Sequence, residues 1–467
     1  MGQLLSSWPP RTGNPPRAGC TPVKLRALGA ARSVHDGLLG TSGNPGPARL
    51  LSELNMASPW NSLAEHRLRY APPPTATSDP DADIIDAVQR AGLRGRGGAG
   101  FPTGRKLVSV AGGRGRRVVV ANGTEGEPAS AKDRLLMTRR PHLVIDGALV
   151  AAAAVGAGEV IMCVDRTRTE SLASLQRALD ERSATESNSH RVRLAASPPR
   201  YVAGEETALV NWLNGSSSRP TVAPPRPFER GVGRRPTLVQ NVETLAHLAQ
   251  IAAFGPTWFR QVGVADDPGT SLFTVTGAVS HPCVLEAATG TVARDVLLSA
   301  GCTGAGVRAV LVGGFFGAWV DIRQLHAMPL SRNALGDIGA SPGAGVLVAL
   351  PESACGLAET ARVLAWYAGE SAGQCGPCAF GLPDLARLTA RVAEGSGSAA
   401  DVDRLRRWAG DIEGRGACRH PDGAVRLLRS ALTVFAGDVE QHLRGRSCAG
   451  TAGPQVLLVP NSAGGWR

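Results

Sequence analysis

Residues Gly92–Leu107 read GLRGRGGAGFPTGRKL. Gly95, Gly97 and Gly100, with Gly98 between them, satisfy G-x-G-x-x-G, a spacing that lets backbone amides approach a phosphate. The glycines alone fit a flexible loop equally well, and no clear strand precedes them. Phe101 adds a flat apolar face and Lys106 a charge, and the pair favours a nucleotide site. Lysine occurs only at 24, 106 and 132 among 50 basic residues. Where arginine is the default cation, Lys106 and Lys132 suggest that a compact ammonium is required.

Outward from this loop, Asp81–Ala91 has a helical pattern, with Asp81 or Asp83 near its start. Downstream, Arg117–Ala121 reads as a buried strand, Arg134–Gly156 as helix interrupted at Pro141, and Glu159–Val164 as a second strand. This alternation predicts an α/β sheet with parallel strands. Ser271–Thr276, Val284–Leu285 and Val307–Leu311 around a helix at Val292–Ala300 predict a small β-rich domain. After Pro351, helices are expected over Leu357–Ala368, Leu382–Val392, Val402–Ile412 and Ala424–Leu443.

Three further segments carry chemistry. Asn122–Arg134 (NGTEGEPASAKDR) follows a strand end, where parallel sheets bind ligands, and offers Asn122, Glu125 and Glu127. Without context it is equally a solvated acidic turn. Tyr201–Thr207 (YVAGEET) places Glu205 and Glu206 after Gly204, a pattern that also suits a helix N-terminus. Cys375-Gly-Pro-Cys378 with Cys418 supplies three thiols that can share one metal or cluster, a redox dithiol being the alternative.

The composition narrows the class. Hydrophobic residues are 43% and aromatic residues 4%, enough for a large core and too few rings for a nucleic-acid stacking platform. The formal charge of +11 is scattered arginine, without a nucleic-acid-reading motif. No apolar run reaches the roughly 18–20 residues of a membrane span. Nine cysteines in so long a chain suggest metal ligands in a reducing cytoplasm, not a disulfide framework. Residues 1–55 read as a disordered tail or a misassigned start, with Met56 a candidate first residue although Gly46–Leu51 already looks like ordered protein, and 56–80 as a linker.

Taken in order, these segments resemble the flavin-binding, NADH-oxidising subunit of respiratory complex I and the related subunits of NAD-linked hydrogenases and formate dehydrogenases. The likeness runs from about Ala82 to Leu443, and GRGGAGFPTGRK is its most specific part. It implies an α/β plus all-α chain: a Rossmann-like FMN domain (81–265), a β-grasp-like domain (266–335) and a C-terminal helical bundle (336–446) with an iron–sulfur site. A flexible tail, 447–467, would follow. It implies that Gly95, Gly97, Gly98, Gly100 and Lys106 meet FMN or nucleotide phosphates and that Phe101 stacks on the dinucleotide. Asn122, Glu125 and Gly126 would line the flavin and Glu127 would face the nucleotide. Tyr201, Gly204, Glu205 and Glu206 would close the pocket, with Asn241 reaching the flavin. Cys375, Cys378 and Cys418 would hold a [4Fe–4S] or [3Fe–4S] cluster. Electrons from NAD(H) or NADP(H) would pass to a small [2Fe–2S] protein, a ferredoxin or a membrane oxidoreductase subunit, in the cytoplasm or at the inner face of the membrane. The alternative is a relay or assembly subunit that has lost nucleotide oxidation or the cluster.

Departures from the pattern are specific. The family's E-S-C-G-x-C-x-P-C reads Glu370-Ser371-Ala372-Gly373-Gln374-Cys375-Gly376-Pro377-Cys378, so Ala372 replaces the first ligand, and Cys355 and His420 are candidate substitutes. Thr124 stands where an acid is expected, Ser109 where a second stacking Phe is expected, and Ala223 and Arg226 replace a basic and an aromatic residue. Arg226 would meet an extra phosphate and shift preference towards NADPH.

Overall fold

The computed structural model describes residues 49–51, 62–74, 80–186, 191–446, 448, 450, 453, 455–460 and 465–467, with the backbone of 21–22. Four strands, β1 (Arg117–Gly123), β2 (Ala157–Asp165), β3 (Val192–Ser197) and β4 (Thr237–Asn241), form an all-parallel sheet in the order β3-β2-β1-β4. Side chains alternate across it. Val119 and Ala121 enter one core with α4 (Pro141–Val155) and α7 (Val242–Phe259), while Val118 and Val120 pack with Leu209 and Val210 of α6 (Glu206–Leu213). Both faces are therefore covered, which is why β1 reads as a continuous apolar run.

The glycine-rich segment joins α1 (Ala82–Ala91), capped by Asp81, to α2 (Thr103–Ala111). The expected break at Pro141 separates α3 (Lys132–Arg139) from α4. Helix α5 (Thr169–Ser183) connects β2 and β3.

A second sheet has the order Thr21–Pro22, β6 (Cys283–Ala288), β5 (Thr270–Gly277), β9 (Val346–Pro351), β7 (Val307–Val312), β8 (Ala318–Asp321). Helix α8 (Ala293–Ser299) covers one face. The other face packs against α9 (Gly356–Glu370), α10 (Leu382–Ala393), α11 (Ala399–Ile412), α12 (His420–Val434) and α13 (Ala436–Leu443).

Several expectations require correction. The boundary at 335/336 does not separate sheet from helices, because β9 lies inside the sheet between β5 and β7. Ala424–Leu443 is two helices that meet at Phe435, a buried ring whose backbone leaves the helical region. Of the expected disordered tail, most lies outside the described residues, but Arg49, Leu50 and Leu51 are buried: their three backbone N–H groups donate to the Glu286 carboxylate at 2.8–3.0 Å. The 56–80 linker contains a capped helix, Leu63–Arg67. His66 and Arg67 reach the buried Asp146 at 2.6 and 2.8 Å, and Arg182 reaches it at 2.7 Å. Burial alone would raise that carboxyl, but these partners outweigh it and hold it far below the ordinary carboxylate range. The tail is not free either: Leu457 is buried, and Trp466 lies under Arg200 and beside Arg219. Among the described residues seven cysteines are outside any disulfide and Cys283 is disulfide-bonded, so the set is not wholly reduced.

Helix α4 touches α7 through a missing side chain. A Cβ on Gly147 would stand 1.9 Å from the Leu245 carbonyl oxygen, whereas one on Gly158 would meet nothing within 4 Å. Gly147→Ala is therefore expected to destabilise the chain by about 1–3 kcal/mol in thermal unfolding, and Gly158→Ala to leave the transition unchanged.

Candidate functional site

The loop after α1 is closed by short backbone bonds. Gly95 N–H donates to the Phe101 carbonyl and Thr103 N–H to that of Leu93, each at 2.9 Å. Arg96 anchors it: its buried guanidinium donates to Asp267 Oδ1 (2.8 Å) and the Pro268 carbonyl (3.0 Å), and its N–H donates to Thr244 Oγ1 (2.8 Å). Two glycines sit at close approaches. A Cβ on Gly97 would sit 3.1 Å from the Asn241 Cβ, and one on left-handed Gly100 would collide with the Arg332 guanidinium. Phe101 is left 54% exposed on the rim. Helix α2 begins at Pro102 with no side-chain cap, so beyond Thr103, whose N–H is held by Leu93, its first-turn amides point to where an anion would bind.

Lys106, on α2, donates to Glu206 Oε2 at 2.9 Å, and both side chains are about one quarter exposed (24% and 29%). Asn122, at the end of β1, donates to the Gly204 carbonyl at 2.8 Å and accepts from Thr124 Oγ. A Cβ on Gly126 would stand 2.6 Å from the Tyr201 carbonyl oxygen, and one on Gly204 2.5 Å from Thr124 Oγ1. The loop after β1 and the Tyr201–Glu206 turn are thus fitted backbone against backbone. Asn241 caps α7 by accepting from Glu243 N–H (3.0 Å) and donates to Asp133 Oδ2 (2.6 Å).

The acids divide by role. Glu125 is engaged within the chain: it accepts from Ser130 Oγ, Asp133 N–H and Arg134 N–H at 2.8–3.0 Å, capping α3. Glu205 likewise caps α6, accepting from Thr207 and Ala208 N–H groups at 3.0 Å. Glu127 is buried, accepts from Phe315 N–H at 2.9 Å and Ala129 N–H at 3.2 Å, and is pushed up to about 7 by burial, which these amides only partly oppose. Sequence reasoning missed Asp133 and Glu243, which hold the buried Lys132 ammonium between them at 2.6 and 2.8 Å. The rarity of lysine was the available signal. Burial pushes Asp133 up to about 6 even beside that ammonium.

Cys375, Cys378 and Cys418 come together where α9, α10 and α12 meet. Cys378 N–H donates to the Cys375 carbonyl at 3.0 Å, so the two thiols lie on one turn. Burial, then the neighbouring Cys375 and Cys418, push the Cys378 thiol up to about 12, and the Ser371 hydroxyl touches it. Thiols that oppose one another's ionisation form a donor set that a cationic metal centre relieves, so the residues fit a cluster with three cysteine ligands. The substitutes for Ala372 do not reach it in the way expected. Cys355 faces His442, 3.6 Å away, and His420 turns Nε2 to the Tyr367 carbonyl at 2.9 Å.

Tyr201 and Glu205 couple the two regions. Tyr201 N–H donates to Glu370 Oε2 at 2.9 Å, its hydroxyl meets that of Tyr367 at 3.3 Å, and its ring packs on Trp366 and His420. Glu205 lies near enough to Cys418 to raise its thiol further, after burial. The thiols therefore adjoin the pocket formed by the strand ends.

Glu127 gives this arrangement a pH signature. Between its ordinary value of 4.5 and about 7 the folded chain keeps a proton that the unfolded chain releases, so this group's contribution to stability is lost as pH rises through that window. Glu127→Gln is expected to shrink the fall in unfolding free energy from about pH 5 to about pH 8 by about 2–3 kcal/mol, as read by denaturant titration.

Residues 88–250 match the family described as the Nuo51 FMN-binding domain, and 354–442 the NADH-ubiquinone oxidoreductase-F iron-sulfur binding region. The second F-type subunit of NADH-quinone oxidoreductase in Rhizobium meliloti (strain 1021) is 31% identical over 381 residues, covering 78% of this chain and 90% of that protein. The F-type subunit of the same enzyme in Streptomyces coelicolor is 33% identical, covering 78% and 84%. An NAD+-reducing [NiFe]-hydrogenase in the H2-reduced state superposes with a TM-score of 0.72 at 32% identity. That match covers 79% of this chain and spans 63% of the hydrogenase chain. The glycine loop, the strand-end pocket and the adjoining thiols lie within the matched regions, and the chain belongs to the family of F-type NADH-quinone oxidoreductase subunits, flavoproteins with an FMN-binding domain and a C-terminal iron–sulfur binding region.

Proposed function

We propose that this chain oxidises NADH through FMN bound at the ends of β1 and β4 and passes the electrons through a centre on Cys375, Cys378 and Cys418 to a partner carrier. The observation that carries the reading is the zone in which Tyr201, packed against the loop of the strand-end pocket, bonds Glu370 at the end of α9, and Glu205 lies close enough to Cys418 to act on its thiol. When bound, FMN supplies hydride acceptance and single-electron release, chemistry that no side chain here provides.

The protein's own contribution is positioning and exclusion of water. The start of α2 beyond Thr103 and the amides of Gly97–Gly100 would hold phosphate, and the exposed Phe101 ring would cover the nucleotide. Asn122, Gly126, Gly204 and Asn241 shape the floor. Glu125 and Glu205 act by fixing the turns that carry the floor, and Lys106 with Glu206 forms its polar edge. Arg226 is exposed, its N–H held by Glu229 at 2.8 Å, and its guanidinium would favour the extra phosphate of NADPH as a second nucleotide. The partner would be a small [2Fe–2S] protein, a ferredoxin or a membrane oxidoreductase subunit. Among the described residues no helix is long and apolar enough to cross a membrane, which suits peripheral docking.

Two variants test the reading. Phe101→Ala should raise KM for NADH by tenfold or less, a loss of about 1 kcal/mol, with kcat and melting temperature unchanged; an unchanged KM contradicts the stacking role. Ala372→Cys should raise iron content towards the full [4Fe–4S] complement and add a paramagnetic signal on reduction. Iron absent from both proteins would contradict the cluster.

A further inference from the structure

Outside the thiols of the electron path, the bundle holds a second donor set. Cys355 caps the start of α9, His442 lies in the last turn of α13, and Cys448 comes from the segment that follows. One ligand atom from each lies within 4.8 Å of the other two. Cys355 and His442 are buried, at 1% and 0% exposure, and Cys448 is half-buried.

The spacing suits a single ion. A tetrahedral zinc with Zn–S of about 2.3 Å and Zn–N of about 2.0–2.1 Å places sulfur and nitrogen about 3.6 Å apart. Cys355 Sγ and His442 Nε2 are 3.6 Å apart. The Ala358 amide donates to Cys355 Sγ at 3.4 Å, an outer contact that orients the sulfur at the helix start. A proton on Nδ1 of the buried His442 leaves Nε2, the atom that faces Cys355, free to ligate.

We propose that Cys355, His442 and Cys448 bind one zinc ion, with the fourth position open to water, and that this ion fastens the C-terminal arm to the bundle. Two sulfurs and one imidazole select a borderline-soft divalent ion over a hard one. Backbone groups of the arm add further contacts. Cys355 N–H donates to the Gly450 carbonyl at 3.3 Å, and Glu359 accepts from Val456 and Leu457 N–H at 3.0 and 2.8 Å. Further on, Ser218 N–H donates to the Trp466 carbonyl at 2.7 Å and Arg200 lies over the Trp466 ring, so the arm reaches from the cluster helices to the turn beside Tyr201. A lock at Cys448 would hold that whole strap in register.

The test is elemental analysis of the full chain, purified anaerobically and dialysed against a chelator. One zinc per chain is expected, falling at least tenfold in Cys448→Ser while flavin and iron stay constant. Limited proteolysis of the arm should become at least tenfold faster in that variant. X-ray absorption at the zinc edge of the unmodified protein is the readout that needs no variant, with two sulfurs near 2.3 Å and nitrogen near 2.0–2.1 Å expected. Absence of zinc, zinc that persists in Cys448→Ser, or a mass lowered by one Cys355–Cys448 disulfide would each overturn the proposal.

Discussion

The Glu125 carboxylate at the head of α3 is the interaction on which the rest of the site depends. Its residue lies at φ +44, a left-handed conformation that costs a side-chain-bearing residue on the order of 1–3 kcal/mol. Three donors to one carboxylate, two of them helix N-terminal amides, offset that strain. The turn so fixed sends Asn122 to Gly204, seats Gly126 against Tyr201 and drives Glu127 into the amide of Phe315. Parallel sheet, second sheet and helical bundle therefore meet at one loop.

That meeting explains why this fold can act as an electron entry point. A ligand at the carboxyl ends of β1 and β4 lies where a parallel sheet leaves a crevice. The wall of the crevice is Tyr201–Glu206, and the far side of that wall is Tyr367, His420 and the thiols. Buried Lys132, Asp133 and Glu243 set a fixed charge pattern behind Asn241, in surroundings too dry to reorganise.

Much of this was legible because its signals are local. The glycine loop, the strand at Arg117, the break at Pro141 and the first three helices after Pro351 depend on nearest neighbours, and each forms close to its expected place. Glu125 stood out in the sequence as a candidate pocket residue but not as the cap of α3, since its partners lie up to nine residues away across a turn. Strand β9 was not legible, and the Arg49–Leu51 segment was legible as ordered but not in its partner. The first depends on pairing with strands about seventy and thirty-five residues earlier, and the second on a buried carboxylate more than two hundred residues away. Cys355 illustrates the same limit: spacing suggests a substitute cluster ligand, and the packing of α9 on α13 turns it to His442 instead.

The central claim is that the strand-end pocket and the three thiols form one electron path. Anaerobic titration of the purified protein with NADH, followed by absorption and electron paramagnetic resonance together, addresses it directly. The account predicts that the flavin band bleaches and that electrons appear on the iron centre within the same titration. A flavin that stays oxidised under excess NADH and excess NADPH would contradict it and favour a relay or assembly subunit that has kept the fold alone.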